Sequence, residues 1–375
     1  MDTLFWLSVT VVLYVYAGYP LLLAAWARTV DRRPRAKEFE AGQWPSISII
    51  VAARNEAPRL AARVANLLEQ EYPGSRQIIV VSDGSVDEPR HALAQYLNQI
   101  EFIELPPGGK PVALNTGVLA ARGDVLVFAD ARQHFAPGAL RALVANFADP
   151  QVGGATGELV LDCEIGAATN SSIGDGVGLY WKYEKWLRRN ESRVWSTLGA
   201  TGAIYAMRRA IWQPLPATSL LDDVLAPMRA VLGGSRIVVE ERAIAFDRAA
   251  PDAAAESLRK TRTLAGNYQI LAQEPRLLLP IVNPVWLQYA SHKIGRLLVP
   301  WALLVLLASS ALLATGAWFY LIVLAAQLAF YMLAAAGARF MMRERASRVA
   351  FTFVMMNYSA VAGLAALRRG REVWR

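Results

Sequence analysis

The chain has 375 residues, 54% hydrophobic and 19% charged, with 39 Lys and Arg against 31 Asp and Glu for a net charge of +8. That balance excludes an ordinary soluble globule, which is less apolar, and a bare bundle of membrane helices, which is less charged. Cys163 is the single cysteine, so no internal disulfide forms and a reducing compartment suits the chain. The positive excess sits largely at 28–37, Arg339–Arg348 and Arg368–Arg375, each beside an apolar run. Such clusters set membrane topology and attract anionic lipid heads. No nucleic-acid motif accompanies them, so no nucleic-acid partner is expected.

Residues 3–27 carry no charge and approach the ~20 residues that cross a bilayer. The run lacks a basic lead and is too long for a signal peptide, so it reads as an uncleaved anchor. Arg28, Arg32, Arg33, Arg35 and Lys37 follow it. The N-terminus is therefore expected outside and the polar block 40–275 in the cytoplasm, as one sizeable domain.

Within that block, 47–53 (I-S-I-I-V-A-A) reads as a buried strand of the parallel type. Leu60, Val64, Leu67 and Leu68 share one face of a helix over 57–70. A strand is expected at 77–81, a helix at 89–99, a short strand at 101–105, a helix at 111–122 and a strand at 124–129. This alternation argues for a doubly wound α/β half. A strand at 151–162 opens the second half. An aromatic, charged helix at 175–195, a small-residue stretch turning strand-like over 197–206, a short helix from 222, a strand at 236–244 and a helix at 252–272 follow.

Residues 276–296 are apolar but broken by Pro280 and Pro284, which suits an amphipathic element lying in the interface. Residues 297–338, interrupted near 315–317, are long enough for two passes, and 349–367 are again uncharged. Three passes would leave the basic tail outside, against the positive-inside rule. Asn357, Tyr358 and Ser359 fit a re-entrant or interfacial element as well as a span. The expected organisation is an anchor with its basic segment (1–39), the cytoplasmic domain (40–275), the interfacial segment (276–296) and a C-terminal region of two to three membrane helices with a basic tail (297–375).

Chemistry concentrates at strand ends. Asp83 closes a strand in V-S-D-G-S-V-D (81–87), and Asp130 closes another in V-F-A-D-A (127–131). Open α/β sheets bind ligands at the carboxyl ends of strands. Lys110, in K-P-V-A-L-N (110–115), falls between them in sequence, and L-L-D-D (220–223) adds Asp222 and Asp223. Carboxylates converging with a lysine suit a nucleotide and its phosphates, with the later pair offering a base. Blander readings stand beside these. Asp83 is also a turn former, Lys110 also a solvated loop lysine, and Arg259 and Arg262 also an exposed helix face. Asp222 is expected to N-cap the helix that follows. Glu184 and Glu191 read as a salt-bridged helix face, and His91, His134 and His292 show no ligand spacing.

Taken in order, these residues resemble the family-2 glycosyltransferases, in particular the membrane-embedded branch with cellulose, chitin-oligosaccharide and hyaluronan synthases. The resemblance covers about 45–295. V-A-A-R-N-E is similar to the family's opening strand, V-S-D-G-S-V-D to its D-D-x-S-x-D, K-P-V-A-L-N-T-G to its K-x-x-A-L-N-x-G, F-A-D-A to its D-x-D region and L-D-D-V to its base motif. R-K-T-R-T stands where Q-x-x-R-W would lie, and S-H-K-I-G-R resembles the stretch before the C-terminal membrane helices.

The resemblance implies a GT-A fold, an α/β nucleotide-sugar-binding domain, and transfer with inversion at the anomeric carbon. That chemistry must hold and neutralise a departing diphosphate, deprotonate an acceptor hydroxyl and align the two for in-line attack. By resemblance, Ala53, Glu56 and Asp83 line the nucleoside pocket, Lys110 meets the nucleotide or its phosphates, and Asp130 meets the metal-diphosphate. Asp223 is the general base, and Arg259 and Arg262 hold the diphosphate. Gly199 and Gly202 border the acceptor, while Trp181, Tyr183 and Trp186 either stack on sugars or pack against membrane and core.

Two departures qualify the match. Arg132 replaces the second Asp of D-x-D, and arginine cannot ligate a hard cation, which takes oxygen donors. Mg²⁺ or Mn²⁺ is still expected at Asp130, with Arg132 turned away; the alternative has Arg132 supply charge in the metal's place. The Gln and Trp of Q-x-x-R-W are Arg259 and Thr263, which favours transfer of one or few sugars over processive synthesis. The implied enzyme is a hexosyltransferase of the inner (plasma) membrane in bacterial envelope or exopolysaccharide synthesis. It would use a nucleotide-sugar, UDP-linked by the resemblance, and a lipid-linked or glycan acceptor, among membrane lipid and other envelope-polysaccharide proteins. A polymer-extruding synthase and a non-catalytic nucleotide-sugar-binding subunit are the competing readings.

Overall fold

The computed structural model describes residues 1–33, 39–40, 42–161, 174–248, 253–340 and 345–369. Cys163, the last residue of the strand expected to reach 162, and Arg35, Lys37, Arg343, Arg371 and Arg375 lie outside them.

In chain order the elements are α1 (Asp2–Val30, with a π-helical turn at Tyr14–Gly18), β1 (Ile47–Ala53), α2 (Ala57–Glu69), β2 (Arg76–Asp83), β3 (Glu101–Leu105), α3 (Lys110–Ala120), β4 (Val125–Asp130), β5 (His134–Phe135), α4 (Ala139–Ala145) and β6 (Val152–Leu161). Then come α5 (Gly174–Val194), β7 (Ile204–Arg208), α6 (Asp222–Leu232), β8 (Arg236–Asp247), α7 (Ala253–Gln273), α8 (Trp286–Leu313), α9 (Trp318–Phe340) and α10 (Arg345–Arg368). The eight strands form one sheet in the order β3-β2-β1-β4-β7-β6-β8-β5. The first four run parallel, and β7 enters antiparallel to both β4 and β6.

The central strands read as continuous apolar runs because helices cover both faces. Period-2 alternation sorts β1 between two cores. Ile47, Ile49 and Val51 join Leu60, Val64 and Leu67 of α2 and Leu140 and Leu143 of α4 on one face. Ile50 joins Ala113 and Leu114 of α3 and Val224, Leu225 and Met228 of α6 on the other. The expected helix at 89–99 is a single turn, Pro89–Ala92, followed by a 3-10 turn at Ala94–Tyr96. Only Pro89 and Leu93 are buried there, too few anchors to hold an amphipathic helical face. The strand-like stretch at 197–206 is irregular until β7 begins at Ile204.

Two loops are tied together at the open end of the sheet. After β1, Asn55 adopts a left-handed φ of 53°, accepts from Val86 N at 3.0 Å through its side-chain oxygen and donates its own N–H to Ser85 Oγ at 3.1 Å. Asp87 accepts from Ala57 N at 2.8 Å, satisfying an orphan donor at the start of α2. Gly84 makes the turn at φ 60°, and a Cβ there would lie 2.4 Å from Pro107.

Four helices are long and apolar enough to cross a membrane: α1, α8, α9 and α10. Tyr19, Leu23 and Ala27 in the second half of α1 are buried with Leu187 and Val194 of α5. One face of that half therefore packs on the sheet domain, while Leu21 and Leu22 on the other stay exposed. The segment expected to lie in the interface divides: 275–285 is turns, with Ile281 99% exposed, while 286–296 runs straight into α8 through a π-helical stretch at Tyr289–Ile294. Phe5, Phe319 and Tyr320 meet edge to face, joining the starts of α1 and α9. α10 packs on α7: a Cβ at Gly363 would sit 2.8 Å from Ala265 N and 2.9 Å from Thr261 O.

Gly84→Ala is expected to lower the unfolding midpoint of the detergent-solubilised protein by roughly 4 °C or more, from a left-handed backbone costing about 1–3 kcal/mol and the clash with Pro107. An unchanged midpoint would show that the loop yields freely there.

Candidate active site

The carboxyl ends of β1, β2 and β4, the start of α3 and the loop before α6 enclose a cavity of about 690 Å³. Ala53, Arg54 and Glu56 line it from β1, Asp83 from β2, Gly108, Gly109 and Lys110 from the α3 entrance, Asp130 and Arg132 from β4, and Arg262 from α7.

Asp83 is buried and its carboxylate is already engaged. Oδ1 accepts from Gly108 N at 2.6 Å and Gly109 N at 3.0 Å, and Arg54 lies 3.9 Å from Oδ2. The P-P-G-G loop is thereby fastened to the end of β2, and Gly109, at φ 92°, presents its N–H without strain. Asp83 is not a solvated turn former. Glu56 also lines the cavity while pairing with Arg59.

Four charged groups converge at the far side: Lys110 and Asp130 line the cavity, while Asp222 and Asp223 stand beside them outside its lining. Lys110 Nζ donates to Asp130 Oδ1 at 3.0 Å and stands 3.3 Å from Asp222 Oδ2. Asp223 Oδ2 accepts from Gly202 N at 3.1 Å. A Cβ on Gly202 would lie 3.4 Å from Asp223 Oδ2, 3.6 Å from Lys110 Nζ and 3.7 Å from Asp130 Oδ2, so this glycine touches all three groups. Lys110 is therefore no solvated loop lysine. Burial opposes its charge, but Asp130, Asp222 and Asp223 together hold it above the usual lysine range. Burial, and then the neighbouring Asp222, push the Asp223 carboxyl up from 3.8 to about 6, against the pull of Lys110.

Asp222 does not N-cap α6. Leu221 holds that position without a side-chain cap, and both aspartates lie in the first turn. Asp222 turns toward Lys110 instead, since a buried carboxylate needs a counter-charge and the half-exposed ammonium supplies one.

Arg132 pairs with Asp247 at 2.7 Å, and Gln133 donates to the same oxygen. Arg262 faces the cavity. Arg259, one turn back, is outside its lining and stands 3.9 Å from Glu256. Gly199, at φ 143°, abuts Val224 and the Asp223 carbonyl, and Ala200 N donates to that carbonyl at 2.7 Å.

The three aromatics lie outside this cavity. Trp181 carries Lys260 over its ring at 4.7 Å, Tyr183 carries Arg296 at 5.7 Å, and Trp186 is 38% exposed. Glu184 and Glu191 are not a surface ladder. Glu184 is mostly covered beside Arg296 and His292, and Glu191 is fully buried, accepting from Tyr19 at 2.8 Å and lying 2.7 Å from His292 Nδ1.

Sequence reasoning passed over the clamp that holds the loop before Asp222 and Asp223. Asn115 exchanges two hydrogen bonds with Leu215, at 2.8 and 2.9 Å. Gln269 adds bonds to Leu220 N and Thr218 O. Together they fix the loop that delivers Asp222 and Asp223. Asn115 closes the K-P-V-A-L-N motif, so the signal was present; Gln269 carried none.

No three His, Cys, Asp or Glu side chains among the described residues gather as a metal site. A hard divalent cation takes six or more oxygens. Asp130 fits as one protein ligand at the cavity wall, with the rest of the shell left to ligand and water oxygens.

The comparisons agree with this geometry. Residues 48–213 match the glycosyl transferase family 2. An N-acetylglucosaminyltransferase from Mesorhizobium japonicum is 34% identical over 159 residues, 40% of this chain and 35% of that protein. A beta-monoglucosyldiacylglycerol synthase from Nostoc sp. is 32% identical over 133 residues, 33% of this chain and 28% of that protein. The matches thus span only about a third of these relatives' length. A mannosyltransferase from Pyrobaculum calidifontis, solved with GDP-Man and Mn²⁺, shares the fold at a TM-score of 0.74 and 22% identity, covering 98% of this chain and 100% of that one. Residues 48–213 thus carry a glycosyl transferase family 2 domain, and the four apolar helices around it are consistent with a membrane-bound glycosyltransferase.

Proposed function

We propose that the chain moves a sugar, with inversion, from a nucleotide-sugar to a lipid-linked or glycan acceptor at the membrane. One observation carries this reading: Lys110 stands among Asp130, Asp222 and Asp223 around Gly202, at the wall of a cavity large enough for a nucleotide-sugar. In this reading Asp83, Ala53 and Glu56 border the nucleoside, and Lys110 and Arg262 neutralise the departing diphosphate. Asp223 takes the acceptor hydroxyl's proton. A carboxylate with a pKa near the working pH is a stronger base than an exposed one and is still ionised at neutrality. Gly202, lacking a side chain, leaves room beside that base. Asp130 would be the protein ligand of Mg²⁺ or Mn²⁺, which when bound would neutralise diphosphate charge.

The names of the relatives support hexosyl transfer, and the Nostoc synthase, which makes a glycolipid, supports a lipid acceptor. Thr263, where the related synthases have a tryptophan, supports transfer of one or few sugars. We take the four apolar helices to sit in an inner membrane, with the sheet domain cytoplasmic and envelope or exopolysaccharide synthesis as the setting. The donor is sought first among UDP-sugars, and Arg259 is left a supporting role at most.

The deciding experiment measures nucleoside diphosphate release by the purified full chain from a panel of UDP- and GDP-sugars, with and without Mn²⁺ or Mg²⁺. Asp223→Asn is expected to cut release about 10²- to 10⁴-fold. A carboxyl whose pKa is raised by folding binds its proton more tightly folded than unfolded, so stability falls as pH rises through the window from 3.8 to about 6. Asp223→Asn removes that cost, and its unfolding midpoint at pH 8 should be no lower than wild type. Full turnover in the mutant would sink the base assignment.

The pH profile gives a second check. Activity should rise with pH and reach half its plateau near 6, as Asp223 ionises. Lys110→Gln removes the cation that lowers this pKa, so the acid limb should move to higher pH. A limb that stays in place would separate Lys110 from the base.

A further inference from the structure

A second cavity, of about 430 Å³, lies where the membrane helices meet the sheet domain. Its walls come from α1, α5, α7, α8 and α10. Helix α7 is shared with the first cavity: Arg262 faces that one, while Lys260, Thr263, Leu264 and Asn267, at helical spacing, face this one. The two cavities therefore stand on opposite sides of one helix.

The lining is chemically divided. Val349, Phe353, Met356 and Ala360 of α10, with Leu264, make an apolar wall. Lys260, Lys293 and Arg296 make a cationic one around Tyr180. Lys260 Nζ lies 4.9 Å from the centre of that ring, and Arg296 donates to its hydroxyl at 3.0 Å.

The acidic groups near these cations are largely committed. Glu184 is taken by Arg296 and lies 3.1 Å from His292 Nε2. Glu191 is held by Tyr19 and His292. Glu256 answers Lys260 at 3.4 Å. Among the described residues no carboxylate is within ion-pair distance of Lys293, and Arg296 Nη2 is buried without a hydrogen-bond partner. Glu184 and Glu191 reach Lys293 only through the field, and a buried donor without an acceptor is costly, so Lys293 and Arg296 Nη2 can each take a further acceptor.

Its depth says which kind. Tyr16 lines the cavity just ahead of Tyr19, where α1 leaves the membrane face and packs on α5. Lys293 and Arg296 occupy the first turns of α8. Both place the cavity at the boundary where lipid phosphates lie, with the apolar wall on a helix able to span the bilayer.

We propose that this cavity binds a lipid bearing a phosphate headgroup, with the phosphate between Lys260, Lys293 and Arg296 and the first tail carbons along Phe353, Met356 and Ala360. The site needs both parts: phosphate alone leaves the apolar wall bare, and a neutral lipid leaves the donors unmet. It does not rest on the donor reading, since binding requires no turnover.

The test is native mass spectrometry of the full chain released from detergent, offered dioleoylphosphatidic acid, dioleoylglycerol or inorganic phosphate at equal concentration. Phosphatidic acid should be retained and the other two lost. Lys293→Gln should weaken retention about tenfold, and Met356→Trp, which fills the apolar end, should weaken it comparably. The variants act on different walls, so misfolding of one, read from its unfolding midpoint, leaves the other as the test. Equal retention of dioleoylglycerol, capture of inorganic phosphate alone, or phosphatidic acid binding indifferent to both variants would overturn the proposal.

Discussion

One lysine set among three carboxylates is the constraint on which the rest of this structure depends. Charges this close and this poorly solvated are tolerated only when each has a partner. Lys110 answers Asp130 and Asp222 directly and Asp223 through the field. These groups come from the start of α3, the end of β4 and the first turn of α6, three places far apart in sequence. The sheet order must therefore put β4 beside β1, and the loop before α6 must be held in place. Asn115 supplies that hold from α3, the same helix that begins with Lys110. One short helix thus carries both the cation and the clamp for the loop of its partners.

The same economy joins the membrane to the sheet domain. α7 touches the loop before α6 at Gly266, where a Cβ would lie 2.5 Å from Leu221, and touches α10 through Gly363. It is pinched between that loop and an apolar helix with little slack on either side. Displacement of α10 by lipid would be felt at Leu221, next to Asp222. Interiors packed this closely transmit shifts rather than absorb them. On the far side, Tyr19, Glu191, His292, Glu184 and Arg296 form a buried polar chain from α1 through α5 to α8. That chain fixes the membrane helices to α5 by directional bonds where apolar contact alone would allow sliding.

Much of the sheet domain was legible because its signals are local. The apolar runs that became β1, β2 and β4, and the carboxylates that end two of them, follow from period and composition. The clustering of Lys110 with Asp222 was not legible, because Asp222 has an ordinary local role open to it as an N-cap. Only the tertiary fold shows a stronger partner within reach. Glu184 and Glu191 misled for the same reason: on an isolated helix they look like a solvated ladder, and only α8 packing across them makes them buried. Trp181, Tyr183 and Trp186 sit in a stretch whose partners are membrane helices, so their surroundings depended on contacts about 100 residues away in sequence. Local pattern reads elements well and reads long-range charge pairing poorly.

Arg132 shows how the fold absorbs a departure from its family's pattern. A carboxylate is expected where this arginine stands, and an unpaired guanidinium there would add a cation beside Asp130. Asp247, at the end of β8, takes up that charge at 2.7 Å and is itself almost fully buried. Asp247 depends on the pair, since losing Arg132 would leave a buried carboxylate without its counter-charge. The pair also welds the end of β4 to the end of β8 across the cavity rim. With Arg132 so engaged, Asp130 remains the acidic group that β4 offers the cavity, and Lys110 remains its direct counterion. One lysine already answers three carboxylates here, so added diphosphate charge must be met by Arg262, by Lys110 released from Asp130, or by a cation arriving with the ligand. A metal that bound Asp130 would free Lys110 for the diphosphate, which makes the lysine and the metal partners in neutralisation rather than rivals.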